Sequence, residues 1–304
     1  MRVTIDLDKL LEEGKITQEE HDKFSQFSSG ATSALAFNIL IGFGVIAVGG
    51  GLLALLPAPA TAIALGLAIC ALGITLLFPA YEQWTLLGNI CVVVGALLFG
   101  GGAIKAGEGS ILSFLLVAVV FAAAGIFARS SLLAVLAVFA LSSCLGARTG
   151  YFHASYLLGV EEPGWTVGLF TVFSIGMYQL SKGFETDYQR IAIAASRTGV
   201  FLVNLGFWIG SLWGDRNPGG EVVIADGIFA SLWAVALIAT GIWAWTSNRR
   251  WLVNVVAVFG GIHFYTQWFE RLGASAETVL IAGLLALGSA ILLRLLNTKL
   301  AESL

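Results

Sequence analysis

The sequence predicts an all-α fold: a polytopic transmembrane helix bundle of about ten spans, preceded by a short N-terminal helical hairpin in the cytosol. Three observations predict it. Apolar runs recur from residue 31 to residue 296 with only short polar breaks, most of them near the ~20 residues that a bilayer core requires. Hydrophobic residues make up 58% of the chain and charged residues 12%. Soluble domains have roughly 45–50% and 25%, so a soluble globular domain is excluded. Finally, Lys and Arg collect on alternate sides of the runs, as they do where cytoplasmic loops retain positive charge.

Residues 1–29 read as a separate module, and residues 30–304 as the bundle. Leu7, Leu10 and Leu11 share one helical face, with Gly14 as a natural stop. Thr17 and Glu20 then have the spacing of a capping box, each side chain satisfying an amide at a new helix start. His21, Phe24 and Phe27 line one side of that second helix. Two helices this short are marginal alone, so their apolar faces need each other, the membrane surface or a protein partner docked on the hairpin.

The spans follow at 31–56, 61–78, 84–104, 111–128, 132–147, 165–180, 191–213, 227–246, 251–269 and 278–296. The fifth and sixth are short, and Arg197 interrupts the start of the seventh, so a count of nine is the alternative. An even count places both termini on one side. Of the sixteen Lys and Arg residues, only Lys105, Arg148, Arg216 and Arg271 then fall on the other side, which predicts cytoplasmic termini in the cell inner membrane. Trp84, Trp165, Trp213, Trp251 and Trp268 near span ends fit interfacial anchoring. The first run, too long for a cleavable signal core, is expected to act as an uncleaved signal anchor.

Glycine marks where helices can approach. Gly42, Gly44 and the triplet Gly49-Gly50-Gly51 predict a close neighbour on the first span, and the similar triplet Gly100-Gly101-Gly102 in the third raises a hairpin duplication. Both spans are expected to lie centrally in the bundle.

Polar residues within spans are costly unless partnered, so they are the candidates for chemistry. Arg197, Asn204 and Ser211 in the seventh span are spaced by seven, which keeps them within about 40° of one line on the helix. That stripe is either a pathway turned into the bundle, or Arg197 snorkelling to the cytoplasm with Asn204 bonding a neighbouring helix. In the ninth span His263, Gln267 and Glu270 share a face converging on the outer boundary. A proton-linked or sensing pair of His263 and Glu270 is one reading, an interfacial polar cap the other. Asn38, Asn89 and Asn254 near inner span ends read as helix-to-helix bonds. Outer acids Glu161, Glu162, Asp215, Glu221, Asp226 and Glu277 form an expected solvated rim.

Several function classes find no support. The net charge of −3 without a basic block gives nucleic acid no footing. Cys70, Cys91 and Cys144 lie inside apolar runs without zinc spacing, and His21 and His153 stand far from His263, so no metal or cofactor site is predicted. No nucleophile elbow, phosphate loop or zincin motif occurs, and no catalytic residue is assigned.

Two stretches resemble a known family. One is Leu10-Leu11-Glu12-Glu13-Gly14-Lys15-Ile16-Thr17-Gln18-Glu19-Glu20, running into Ile41-Gly42-Phe43-Gly44-Val45-Ile46. The other carries Arg250, Asn254, Phe259, Phe264-Tyr265, Phe269-Glu270, Leu272-Gly273 and Gly283-Leu284-Leu285. Together they cover about a third of the chain and resemble the bacterial membrane proteins of unknown function grouped as DUF2157. Pro57-Ala58-Pro59 stands where that family has an Asn-Trp pair. The resemblance implies a multi-pass membrane protein and supplies no site residues.

The functional expectation is a non-enzymatic scaffold, sensor or complex subunit that docks partners through the hairpin. The alternative is a secondary transporter of small solutes with two five-span halves of inverted topology, for which Arg197, Asn204 and His263 are the first candidates.

Overall fold

The computed structural model describes residues 10–11, 14–152, 155–217 and 219–302, and it is helical throughout apart from two small β-hairpins. The chain forms two compact units, Met1–Ala140 and Leu141–Leu304. The first contains α1 (Gln18–Leu55), α2 (Pro59–Leu76), a 3-10 segment (Pro79–Trp84), α3 (Thr85–Ala106), α4 (Ile111–Phe127) and most of α5 (Ser131–Ser143). The second contains the antiparallel pair β1 (Ala147–Phe152) and β2 (Ser155–Val160), then α6 (Pro163–Ser181) and α7 (Thr186–Trp213). A second pair, β3 (Asp215–Arg216) and β4 (Val222–Ile224), leads to α8 (Asp226–Thr246), α9 (Arg250–Leu272) and α10 (Ala276–Glu302).

Each of the ten expected apolar segments overlaps one of these helices. Among the described residues, four helices are both long and apolar enough to cross a membrane: α2, α3, α7 and α8. Shorter apolar stretches occupy Leu40–Leu55, Ile111–Phe127, Ser131–Ser143 and Ala276–Ile291. With 13 residues, α5 is only about 20 Å long against a hydrocarbon core of ~30 Å. Its expected extension to residue 147 is instead turn and the start of β1.

The amino-terminal end follows its local signals. The amide of Gly14 (φ 67°) donates to the Leu11 carbonyl at 3.0 Å and that of Lys15 to Leu10 at 2.9 Å, the two bonds of a Schellman stop. Thr17 and Glu20 make the capping box: the Glu20 amide donates to Thr17 Oγ1 at 3.3 Å and the Thr17 amide to Glu20 Oε2 at 2.9 Å. These bonds to the ionised form hold the Glu20 carboxyl below its ordinary range, the Thr17 backbone bond contributing most. From there α1 runs unbroken to Leu55, so the boundary expected at residues 29 and 30 falls inside one helix of 38 residues. Leu7 lies outside the described residues, as do the side chains of Phe24, Phe27 and Asn38.

In the first unit the closest packing joins α2 to α3, and glycine is the reason. Gly66 and Gly73 on α2 face Gly88, Gly95 and Gly102 on α3, each set repeating every seven residues. A Cβ on Gly66 would stand 2.4 Å from the Phe99 amide nitrogen, and one on Gly95 2.4 Å from that of Cys70. The backbones therefore touch through an antiparallel glycine seam. The neighbour expected on the first span is α3, but it approaches only through side-chain tips: Gly42 meets Ile90 and Gly49 meets Leu98, while Gly44, Gly50 and Gly51 face open space. The triplets are thus not equivalent, since Gly100 packs on Phe121 and Gly102 on Ala62 and Ile63.

The second unit packs α6 on α7, α7 on α8, and α8 on α9. Gly199 and Gly206 admit α6, whose Ser174 carbonyl accepts a 2.8 Å bond from Ser196 Oγ. The acidic rim is not uniform. Asp215, only 8% exposed, accepts the Gly164 amide at 3.0 Å and so caps the first turn of α6 across 51 residues. Glu161, Glu221, Asp226 and Glu277 are exposed as expected.

Candidate functional site

Both polar features anticipated in the sequence lie in the second unit, and a tryptophan joins them. Trp233 of α8 is 1% exposed and its indole N–H needs a buried partner. It donates from Nε1 to Asn204 Oδ1 at 3.0 Å. The Asn204 amide group in turn donates to the Val200 carbonyl at 2.9 Å, so Asn204 is bonded at both ends inside the bundle. On the other side His263 meets the Trp233 ring edge-on, with centroids 4.9 Å apart. Phe207 stacks parallel to the same indole at 6.5 Å, and Leu237 and Phe259 complete the cluster.

The stripe on α7 therefore has three different surroundings. Arg197 is exposed, its guanidinium 4.8 Å above the Trp251 ring. Asn204 is a buried inter-helix tie, and Ser211 donates to the Trp208 carbonyl of its own helix at 2.8 Å. Along α9, Gln267 accepts from Arg271 at 3.3 Å, while Glu270 is exposed and bonds neither His263 nor Gln267. His263 Nδ1 and Gln267 Nε2 are buried atoms without a hydrogen-bond partner. Trp208 strengthens the α7–α9 contact by donating to Thr266 Oγ1 at 3.0 Å.

Between α6, α7, α8 and the start of α9 lies a groove of about 890 Å³. Arg197 and Asn204 line it, and so do residues the sequence did not single out: Tyr178, Arg249, Trp243 and Trp233. Ser211, His263, Gln267 and Glu270 lie outside its lining. One end is basic and aromatic, with Arg197 over Trp251 and with Lys182 and Arg249 5.0 and 5.8 Å from the Tyr178 ring centre. The other end is apolar up to the Asn204–Trp233 bond. The sequence signal for Trp233 was its position: seven residues inside its helix, it is too deep for interfacial anchoring.

Among the described residues no group of three or more His, Cys, Asp or Glu side chains is placed to hold a metal ion. The groove can hold a ligand by cation, aromatic and apolar contact. It has no paired acid and base for covalent chemistry. No protein family, curated protein or solved structure matches the chain.

Proposed function

We propose that this chain is a multi-pass protein of the cell inner membrane, with both termini in the cytoplasm, whose carboxy-terminal unit binds a small solute as a secondary transporter does. The observation that carries this reading is the groove of about 890 Å³, within the ~300–1,000 Å³ of small-molecule sites, with Arg197 on its wall. The chain divides into two compact units with the break near the end of α5, a division that a transporter built of two halves would also have. Charge supports the orientation, because Lys182, Arg197 and Arg249 gather at one end of the second unit while Arg216 lies at the opposite end of α7.

The test is thiol labelling of Val203→Cys and Ala236→Cys in a background with Cys70, Cys91 and Cys144 replaced. A membrane-impermeant maleimide is expected to reach these positions from the cytoplasmic face, and from the opposite face in a second state. Labelling from neither face overturns the transporter reading.

One observation favours the docking reading: α1 is continuous from its capping box into the bundle, so a partner held at Thr17–Glu20 would bear directly on the first apolar stretch. Partner capture before and after deletion of residues 1–29 decides it, and an unchanged partner set removes the idea.

A further inference from the structure

The groove has a charge that nothing in it balances. Arg197, Arg249 and Arg250 line one end, and no Asp or Glu lines any part of it. Among the described residues none of the three forms an ion pair: Arg197 lies over Trp251, Arg249 over Tyr178, and Arg250 opens α9. The start of that helix, the positive end of its dipole, adds partial positive charge at the same place. Three like charges around one cavity repel each other, and an anion among them relieves this.

The rest of the groove excludes a bare ion as its intended occupant. Beyond the arginines the walls include Val200, Val203, Phe207, Leu237 and Val255, with the hydroxyls of Thr171, Ser174 and Ser196 among them already donating to the Val167, Phe170 and Ser174 carbonyls. Asn204, too, already bonds Trp233 and Val200. From Arg197 to Phe207 is ten residues of helix, about 15 Å, half of the ~30 Å hydrocarbon core. Tyr178, Trp243 and Trp251 surround the basic end, and such side chains sit at headgroup level. The groove is thus one leaflet deep, basic where a headgroup lies and apolar where an acyl chain lies. Its lip carries Ile175, 58% exposed, and Trp243, 51% exposed.

We propose that the groove binds one anionic phospholipid, its phosphate among Arg197, Arg249 and Arg250 and an acyl chain running along α7 and α8 towards Phe207 and Trp233. Basic pockets between transmembrane helices on the cytoplasmic side recognise anionic headgroups by this chemistry. The inference rests on the groove being a ligand site, and it puts a phospholipid there in place of a small soluble solute.

The experiment is native mass spectrometry of the full chain released from nanodiscs of phosphatidylglycerol, of phosphatidylcholine or of an equal mixture, with inorganic phosphate as competitor. The expected result is one retained phosphatidylglycerol, preferred over phosphatidylcholine and not displaced by millimolar phosphate. Each of Arg197→Gln, Arg249→Gln and Arg250→Gln should lower retention about fivefold, as expected for one basic residue near a headgroup. Arg190→Gln, outside the groove, should not. Ala236→Trp, or the milder Val255→Phe, fills the apolar part and should also abolish retention with all three arginines present. Retention unaffected by both filling variants overturns the proposal, because the lipid then binds on the surface. Displacement by phosphate also overturns it, but leaves the groove as a site for a small anion. Absence of both lipid and phosphate binding removes the inference, and the labelling result above then stands alone as the test of the transporter reading.

Discussion

At the scale of single residues, the decisive contact is the 3.0 Å bond from Trp233 to Asn204. Replacing Asn204 with Leu leaves a buried indole N–H without an acceptor, and an inter-helix bond of this kind is worth on the order of 1 kcal/mol. We expect Asn204→Leu to lower thermal stability in detergent while membrane insertion is kept. Combining it with Trp233→Phe, which removes the orphaned donor, should cost less than the two separate losses together; strict additivity would show that the bond contributes nothing. Glu20 gives a pH dependence at this scale. Its folded pKa lies below the unfolded one, so its contribution is complete above the ordinary value of 4.5 and is lost as pH falls through the folded value. Amide exchange at Glu20 should rise below that range, and Thr17→Ala should remove the rise.

At the scale of elements, the α2–α3 seam is the firmest packing of the first unit. Gly95→Ala places a Cβ 2.4 Å from the Cys70 nitrogen, which a helix backbone cannot yield cheaply, and overpacking of this kind costs about 1–3 kcal/mol. Gly101→Ala meets nothing within 4 Å and should be neutral or slightly stabilising, since alanine is the better helix former. Thermal unfolding of the two variants side by side checks the seam, and equal stability would refute it. The heptad spacing of Gly66 and Gly73 against Gly88, Gly95 and Gly102 was present in the sequence. The glycine triplets drew the eye because they are dense, yet spacing matters more: one glycine per seven residues keeps a single face open, whereas three in a row point in three directions.

At the scale of the whole molecule, the proposed topology predicts where reporters will work. Fusions after Asn248 and after Leu304 should report from the cytoplasm, and those after Gly220 and Ser275 from the opposite side. A cytoplasmic signal at Gly220 would break the alternation and with it the even number of spans. The internal packing of the two units differs, with the second and third helices closest in the first unit and the first and second helices closest in the other. Two copies of one five-helix ancestor would pair alike, so the packing offers the inverted repeat no support.

Among the described residues, the sequence by itself determined the helical class, a helix at each of its ten apolar segments, the stop at Gly14 and the start at Thr17, because hydropathy and caps act within a few residues. It also located Arg197, Asn204 and His263, since a polar group in an apolar run is conspicuous wherever it lies. Only the tertiary structure decided what each of them does. Asn204 became a tie and Arg197 a groove wall through Trp233 and Trp251, partners on other helices that no local spacing reveals. The groove and its three arginines likewise exist only once α6, α7, α8 and α9 are brought together, because a cavity is a property of the space between elements.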